Sequence, residues 1–257
     1  KKNGSEEFIH MLFKQGRMHP EISSFSNEIF YEKKLKPIPL KHQLEILHCP
    51  SYDKSDGLQN LIASHRLAFI VSKGDKNPIS DKTNKDEAIR ISALLKTIYT
   101  INKNNFNPQT VGVIVPYRNQ IALIRKEIKQ LNIPALSDIT IDTVERYQGS
   151  ERDFIIYGFT VQKIYQLEFL TGNVFKDNGQ TIDRKLNVVL TRARKQLFLI
   201  GNPQILSYNI IFQKLIKFID NRQGVCDIPT EYFIQGKFSC SPADKTSVPD
   251  SRQKLNV

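Results

Sequence analysis

The sequence has 257 residues, of which 40% are hydrophobic and 25% charged. These proportions are ordinary for a soluble globular protein, and the length allows one large domain or two small ones. The formal net charge of +11 at pH 7 indicates an anionic partner, nucleic acid first, because clustered lysines and arginines gain affinity by releasing counterions. A basic protein that is merely soluble would have the same composition.

The cysteines and the apolar runs exclude several classes of protein. Cys49, Cys226 and Cys240 form no Cys-x-x-Cys pair, which argues against a disulfide framework and against a zinc knuckle. No apolar run is long enough to span a bilayer, and the N-terminus lacks the pattern of a signal peptide. We therefore expect a cytoplasmic protein with no membrane partner and no metal site. Lys1–Glu7 looks like the interior of a longer protein cut at a linker.

The first quarter of the chain, residues 1–65, is predicted to be an irregular lead-in with one clear helix. Proline suits the first turn of a helix, and an acidic residue beside it favours the helix dipole. The predicted elements are a short apolar helix or turn at Phe8–Phe13, a helix from Pro20 to Ile29 or Phe30, and an irregular stretch at Tyr31–Ser64 with a short strand at Leu44–His48.

From Arg66 onward, strands alternate with helices. The predicted strands are Arg66–Ser72, Val111–Tyr117, Ile139–Val144, Phe154–Thr160 and Gln196–Asn202. Helices are predicted from the Asn84 and Glu87 capping pattern to about Ile101, after Tyr117, and after Asn202 through Ile219, whereas a loop with Gly172, Asn178 and Gly179 follows Thr160. Apolar strands without polar alternation indicate a mainly parallel sheet flanked by helices on both faces. Residues 1–235 would form this domain, and 236–257 a polar tail.

The segment Arg184–Lys195 is predicted to be a helix with a basic side. Leu186, Val189, Leu190 and Ala193 recur at the spacing of one helical face, so Thr191, Arg192, Arg194 and Lys195 would project elsewhere. A guanidinium can hold two oxygens of one phosphate and keeps its charge. An ordinary amphipathic helix with a solvated basic face has the same pattern.

Four clusters of polar residues fall beside predicted strands, where an open α/β sheet binds its ligands at the carboxyl ends. They are Gly16–Pro20, Pro116–Gln120, Thr143–Glu151 and Arg184–Lys195. Each has an ordinary structural explanation, such as a proline that ends a strand or a glycine in a turn. Their recurrence in one order favours a shared function.

In that order the clusters resemble the later motifs of superfamily 1 helicases, in the branch of the nonsense-mediated-decay helicase, whose members move 5′ to 3′. The resemblance covers roughly Gln15 to Asn202 and implies the second, C-terminal RecA-like motor domain, a three-layer fold of the P-loop NTPase type. It is carried by Arg17-Met18-His19-Pro20 with Phe30-Tyr31, Val115-Pro116-Tyr117 with Gln120, Thr143-Val144 through Gln148-Gly149-Ser150-Glu151, and Leu186-Asn187-Val188-Val189-Leu190-Thr191-Arg192-Ala193.

The resemblance implies a role for each matching residue at the nucleotide. Arg17 and Arg192 would reach the γ-phosphate of ATP as arginine fingers, which stabilise charge on the transferred phosphoryl group. Glu151 would accept a hydrogen bond from the ribose. Gly149 would let the backbone approach closely, and Gln148 would lie between the nucleotide and the nucleic acid.

The resemblance also implies contacts with a single strand of DNA or RNA. Pro116, Tyr117, Arg118 and Thr143 would meet the sugar-phosphate backbone. Such contacts do not read sequence, as expected for a translocating motor. They leave the choice between DNA and RNA open.

The sequence departs from the family at two places. Gly16 stands where the decay helicase has a tyrosine beside the adenine, and no Gly-x-x-x-x-Gly-Lys-Ser/Thr motif occurs in the chain. ATP and Mg²⁺ would therefore be bound mainly by a first RecA-like domain that precedes Lys1, the other expected partner, and these residues alone should bind no cofactor and hydrolyse no ATP.

Two other functions fit the same residues. One is a stand-alone RecA-like module that binds nucleic acid without motor activity. The other is a nuclease that retains helicase-like segments, which would need a cluster of acidic and lysine residues near the C-terminus. Residues 225–257 show no convincing cluster of that kind.

Overall fold

A computed structural model describes residues 13–47, 49, 52–75, 77–147, 149–172, 174–177 and 180–235. The predicted helix or turn at Phe8–Phe13, except Phe13, and the predicted tail at 236–257 lie outside these residues. The described strands, in chain order, are β1 (Lys14–Gln15), β2 (Lys36–Pro37), β3 (Leu67–Val71), β4 (Val111–Val115), β5 (Thr140–Thr143), β6 (Arg152–Gly158), β7 (Val174–Asp177), β8 (Gln180–Asp183), β9 (Ala193–Gly201) and β10 (Val225–Cys226).

Six of these strands form the central sheet, in the order β10-β3-β9-β6-β4-β5. Every neighbouring pair in it is parallel. The strands at its centre are almost wholly buried on both sides, which explains their unbroken apolar runs. Two small ladders lie apart from this sheet, the parallel pair β1–β2 and the antiparallel pair β7–β8.

Helices cover both faces of the sheet, so the predicted three-layer α/β fold is confirmed. They are α1 (Pro20–Phe30), α2 (Lys41–Leu44), α3 (Gly57–Ser64), α4 (Lys85–Ile101), α5 (Arg118–Gln130), α6 (Leu167–Thr171), α7 (Arg184–Leu190), α8 (Pro203–Leu206), α9 (Ile210–Asp220) and α10 (Thr230–Gln235). One core holds Phe69 of the sheet with residues of α1, α7 and α9. The other holds Ile70 with residues of α3, α4 and α5.

The predicted helix at Arg184–Lys195 is wrong beyond Leu190. Arg192 lies in a turn, and Ala193 begins β9, where it pairs with Arg152 of β6. Ala193 is fully buried and fits the apolar spacing of a helix, but pairing with a central strand satisfies its backbone instead. Arg194 and Lys195 therefore lie on a strand, and each forms an ion pair of 3.5 Å with Asp153.

The stretch Tyr31–Ser64 is more regular than predicted. Helix α3 is capped at its N-terminus by Asp56, whose carboxylate accepts hydrogen bonds from Leu58 N (2.9 Å) and Gln59 N (3.0 Å). The predicted strand at Leu44–His48 is wrong over its described residues, because Leu44 ends α2 and residues 45–47 pair with no strand. The loop predicted after Thr160 likewise contains α6, β7 and β8.

A buried arginine fastens the C-terminal segment, with β10 and α10, to α4. Arg90 is fully buried and pairs with Asp86 at 2.9 Å. Its other nitrogens donate to Ile228 O (2.7 Å) and Thr230 Oγ1 (2.9 Å). Because its donors meet protein acceptors, this pair is part of the fold.

No described helix is long and apolar enough to cross a membrane.

Candidate functional site

Two glutamines shape the loop that carries Arg17. Gln15 Oε1 accepts from Arg17 N (3.0 Å) and Met18 N (2.8 Å). Gln43, which is buried, donates to Met18 O at 2.8 Å. Neither glutamine was predicted to matter, because Gln43 meets this loop from 25 residues away in sequence and no local pattern marks it. These hydrogen bonds set the conformation of the loop.

The same loop is attached to the sheet beside β9. His19 N donates to Arg194 O at 2.9 Å. Arg17 Nε donates to Glu151 Oε2 at 2.7 Å, and Arg17 Nη1 donates to Thr191 O at 3.3 Å. Both side chains of the Arg17–Glu151 pair are part exposed, at 37% and 43%. The structure thus brings together residues 134 positions apart.

Arg192 reaches this pair from the turn after α7. Its guanidinium donates to Val188 O (3.1 Å), Ser150 O (3.4 Å) and Thr191 Oγ1 (3.3 Å). Burial, and then the positive charge of Arg17, lower the pKa of Arg192, while Glu151 opposes this shift. Arg192 forms no ion pair with any residue in the described part of the chain. We call Arg17, Arg192 and Glu151 the arginine cluster; two like charges held together in this way attract an anion.

Gly149 lies just before Glu151 and has a φ of +84°. An added Cβ would meet nothing within 4 Å, so the glycine is required by its backbone conformation within this chain. Whether it also allows a ligand to approach stays a prediction. Gln148 lies outside the described residues.

The arginine cluster lies at the amino ends of the strands, so the expectation that all four clusters lie at carboxyl ends is wrong. Glu151 directly precedes β6, and Arg192 directly precedes β9. After β5 the chain runs back across the sheet, with Tyr147 buried on the way. Strand β4 has Gly112 where a Cβ would come within 1.7 Å of Tyr147 Oη. The sequence showed that the segment Thr143–Glu151 lies between two strands. It did not show that this segment runs back from the carboxyl end of β5 to the amino end of β6.

The other predicted residues do lie at the carboxyl ends, of β4 and β5. Val115 and Thr143 are register partners, and Pro116, Tyr117 and Arg118 follow directly. Pro116 and Thr143 are buried, Tyr117 is half-buried and Arg118 is exposed. We call these four residues (Pro116, Tyr117, Arg118 and Thr143) the strand group. Of the four, Tyr117 and Arg118 are the accessible side chains.

Two buried polar side chains support the carboxyl edge. Gln120 accepts from Asn84 N (2.8 Å) and donates to Asn84 O (2.9 Å), so it joins α5 to the start of α4. Glu87 accepts from Thr160 N (2.8 Å) and from Asn84 Nδ2 (3.2 Å). Burial raises the pKa of Glu87 well above its usual range, although the bond from Thr160 opposes this. Both side chains act on the fold rather than face a ligand.

The described residues do not form a metal site. No group of three or more His, Cys, Asp or Glu side chains among them could hold a metal ion. Glu151, the carboxylate of the arginine cluster, is bonded to Arg17. The donor set here is therefore suited to an anion and not to Mg²⁺.

Comparisons with known proteins place these features in a family. A family model described as AAA domain matches residues 1–204. The "Uncharacterized ATP-dependent helicase MJ0104" of Methanocaldococcus jannaschii is 28% identical over 218 residues, 82% of this chain and 29% of that protein. The human "DNA replication ATP-dependent helicase/nuclease DNA2" is 25% identical, with 86% of this chain and 21% of that protein covered.

The "Regulator of nonsense transcripts 1 homolog" of Drosophila melanogaster is 26% identical over 216 residues, 81% of this chain and 16% of that protein. The chain thus spans less than a third of the length of each of these three curated relatives. What is similar is one region of each.

Proposed function

The chain belongs to the AAA domain family, as a superfamily 1 helicase-like region of the nonsense-mediated-decay type, and from this premise we propose that it is the C-terminal motor domain of an ATP-dependent helicase. In this proposal the longer protein moves along a single strand of DNA or RNA in the 5′-to-3′ direction. This chain supplies two arginine fingers and part of the strand contact. A first RecA-like domain supplies the P-loop that the present sequence lacks.

The observation that carries the proposal is the convergence of Arg17, Arg192 and Glu151. Arg17 comes from the loop before α1, Arg192 from the turn after α7, and Glu151 from the residue before β6. The guanidinium groups of Arg17 and Arg192 are close enough for the charge of Arg17 to lower the pKa of Arg192. Two cations held near each other repel, so a ligand with concentrated negative charge accounts for their placement best.

Each arginine would act on the terminal phosphate of ATP. A guanidinium stabilises the charge that develops on a phosphoryl group during transfer, and the effect of such a group is about 10³–10⁵ in rate. Arg192 is oriented by backbone carbonyls and keeps its charge without an ion-pair partner in the described chain. Arg17 would leave Glu151 for the phosphate, and Glu151 would then accept from the ribose.

The nucleotide and its magnesium would be held mainly by the other domain. ATP bound there supplies the phosphoryl group, and the donors of the arginine cluster fit its terminal phosphate. The described residues of this chain offer no magnesium site. We therefore expect this chain alone to show no ATP hydrolysis and to bind single strands weakly, with strong dependence on salt.

The strand group would hold the sugar-phosphate backbone. Arg118 is exposed for contact with a phosphate, and Tyr117 is half-buried. Thr143 is 8% exposed, so its contribution would come through a small polar surface and the backbone beside it. These contacts do not distinguish one base from another.

The proposal is tested by ATP turnover of the longer protein in the presence of a single strand. We expect Arg192→Ala to lower turnover by about a thousandfold or more while nucleotide affinity changes little, because the contact strengthens in the transition state. Arg222→Ala is the matched control, since Arg222 stacks on Phe218 of α9 and belongs to neither the arginine cluster nor the strand group.

Normal turnover in Arg192→Ala would remove Arg192 from the catalytic residues. A longer protein that binds single strands but never hydrolyses ATP would favour the stand-alone binding module instead.

A further inference from the structure

One exposed aromatic side chain at the carboxyl edge belongs to none of the motifs. Phe169 lies on α6 and is 46% exposed. Leu167 and Leu170 of the same helix are buried, at 7% and 2%, and they anchor α6 on the core. The helix therefore turns Phe169 away from the core, and nearly half of its side chain stays exposed to solvent.

Phe169 stacks on Tyr117 of the strand group. The two ring centroids are 4.8 Å apart, with an angle of 23° between the ring planes. Lys185 braces the same ring, since its Nζ lies 4.2 Å from the ring centroid and donates to Phe169 O at 3.1 Å. Glu145 pairs with this lysine at 3.2 Å. Tyr117, the N-cap residue of α5, and Lys185 of α7 thus contact the ring directly, and Glu145 after β5 holds Lys185.

The segment before α6 is also held by hydrogen bonds and an ion pair. Gln166 Oε1 accepts from Gln162 N (2.7 Å) and Lys163 N (2.8 Å). Lys163 pairs with Asp81 at 3.0 Å. Gln162 Nε2 donates to Thr83 O at 2.7 Å, so the segment is tied to the loop before α4. A part-exposed aromatic on a segment with this many bonds is preorganised to meet a ligand.

We propose that Phe169 is a base-stacking residue for single-stranded nucleic acid, and that with Tyr117 it forms an aromatic platform at the carboxyl edge. The inference rests on the proposed function and adds a contact with the bases to the backbone contacts of the strand group. Every base has an apolar π-face, so stacking on the platform tolerates any sequence. Arg118, exposed one residue from Tyr117, gives the platform a cation for the adjoining phosphate. Lys185 is a positioning residue, because its bonds are used within the chain.

The test compares two single strands of equal length, an oligothymidylate and an abasic strand, in anisotropy titrations with the full chain at low salt. Wild type should prefer the oligothymidylate. Phe169→Ala should weaken oligothymidylate binding by about five- to a hundredfold, the effect of losing one stacked base, and leave the abasic strand unchanged. Lys185→Met should reduce the preference for bases less than Phe169→Ala does.

Phe13→Ala is the matched control, because Phe13 is 49% exposed, lies directly before β1 and is not part of the strand group. It should bind both strands as wild type does. Phe169→Leu is the second variant, for the case in which Phe169→Ala folds poorly. It keeps an apolar side chain but loses the flat ring, so it should weaken oligothymidylate binding and leave the abasic strand unchanged.

Equal binding of the oligothymidylate by wild type and Phe169→Leu would overturn the platform but not the proposed function. An equal loss on both strands would also overturn it, since stacking requires the bases. Failure of wild type to bind either strand would instead count against the strand contacts of the proposed function itself.

Discussion

The two ends of the central sheet carry different chemistry. At the amino ends of β6 and β9, the arginine cluster gathers three charged groups, with Arg17 and Glu151 joined at 2.7 Å. At the carboxyl ends of β4 and β5, the strand group offers one exposed cation, Arg118, beside the stacked rings of Tyr117 and Phe169. Concentrated positive charge suits a phosphate, whereas aromatic rings beside an exposed cation suit a single strand of nucleic acid.

In the proposed function, the length of the central sheet would therefore separate the phosphate of ATP from the single strand of nucleic acid. The segment between Thr143 and Glu151 joins the two ends, and Tyr147 buries its ring along the way. Arg152, at the start of β6, donates to Thr140 Oγ1 of β5 at 2.9 Å. If hydrolysis moves a strand, this segment is the direct covalent path between the two regions.

The largest effect on the carboxyl edge alone is expected from Tyr117→Ala. It removes one ring of the platform, so single-strand affinity should fall by about 1–3 kcal/mol, while ATP affinity of the longer protein stays as in wild type. Anisotropy with a labelled single strand and a nucleotide titration measure the two affinities. Thr143→Ala should act in the same direction but less, since Thr143 is 8% exposed.

Arg192→Ala should lose ATP turnover in the longer protein and keep its single-strand affinity. A loss of single-strand affinity in Arg192→Ala as large as that in Tyr117→Ala would show that the two ends do not act as separate sites.

A change in the joining segment should damage both ends together. In Gly112→Ala the new Cβ would lie 1.7 Å from Tyr147 Oη, so Tyr147 must move and the free energy of unfolding should fall by about 1–3 kcal/mol. Urea denaturation measures this loss. Single-strand affinity and ATP turnover should fall with it.

Tyr147→Phe is the comparison variant. Burial raises the pKa of Tyr147 to about 12, and its hydroxyl has no hydrogen-bond partner among the described residues. Removing that hydroxyl should leave stability equal or slightly higher. A loss as large as that of Gly112→Ala would mean that the hydroxyl has a role this structure does not explain.

The free energy of unfolding should depend on pH through Glu87, which lies at the carboxyl edge of the sheet. Because burial raises the pKa of Glu87, the folded protein retains a proton that the unfolded chain releases. The contribution of the protonated Glu87 carboxyl to stability is complete below the pKa that Glu87 has in the unfolded chain. It is lost as pH rises toward the pKa that Glu87 has in the folded protein. Unfolding free energies of wild type and Glu87→Gln, measured across pH, should show a steeper decline for wild type above about pH 4.5. Parallel curves would contradict this assignment.

The smallest effect is expected from Glu151→Gln. The Arg17–Glu151 pair is part exposed, and such pairs contribute about 0.2–1 kcal/mol. Stability of the chain should therefore change by less than about 1 kcal/mol, while release of Arg17 should raise the affinity for inorganic tripolyphosphate by up to about fivefold. Arg17→Ala should abolish this gain. Weaker tripolyphosphate binding in Glu151→Gln would show that the carboxylate does not compete with phosphate.

The sequence predicts the sheet well because burial on both faces leaves a local signal. Leu67–Val71 and Val111–Val115 are unbroken apolar runs, and Asn84 marks the start of α4. Helix α3 was also readable, from Asp56 and the spacing of Leu58, Leu61 and Ile62, although it was not predicted. Local patterns suffice wherever an element buries its own residues.

Three features of the site depend on distant residues and had no local signal. Ala193 fits a helix by spacing but pairs with Arg152 in the sheet. Gln43 orders the Arg17 loop from another element. The role proposed for Phe169 depends on its contact with Tyr117, which no local pattern predicts. The resemblance named the residues of the arginine cluster, but the end of the sheet at which they lie follows from the topology.

The claim that Arg17 and Arg192 act on one phosphate is tested most directly by a double-mutant cycle on ATP turnover in the longer protein, with Arg17→Ala, Arg192→Ala and the double variant. Residues that act as a unit give strongly non-additive losses. The double variant should therefore be little slower than the slower single variant. Losses that multiply in full would place the two arginines on separate tasks and contradict the account.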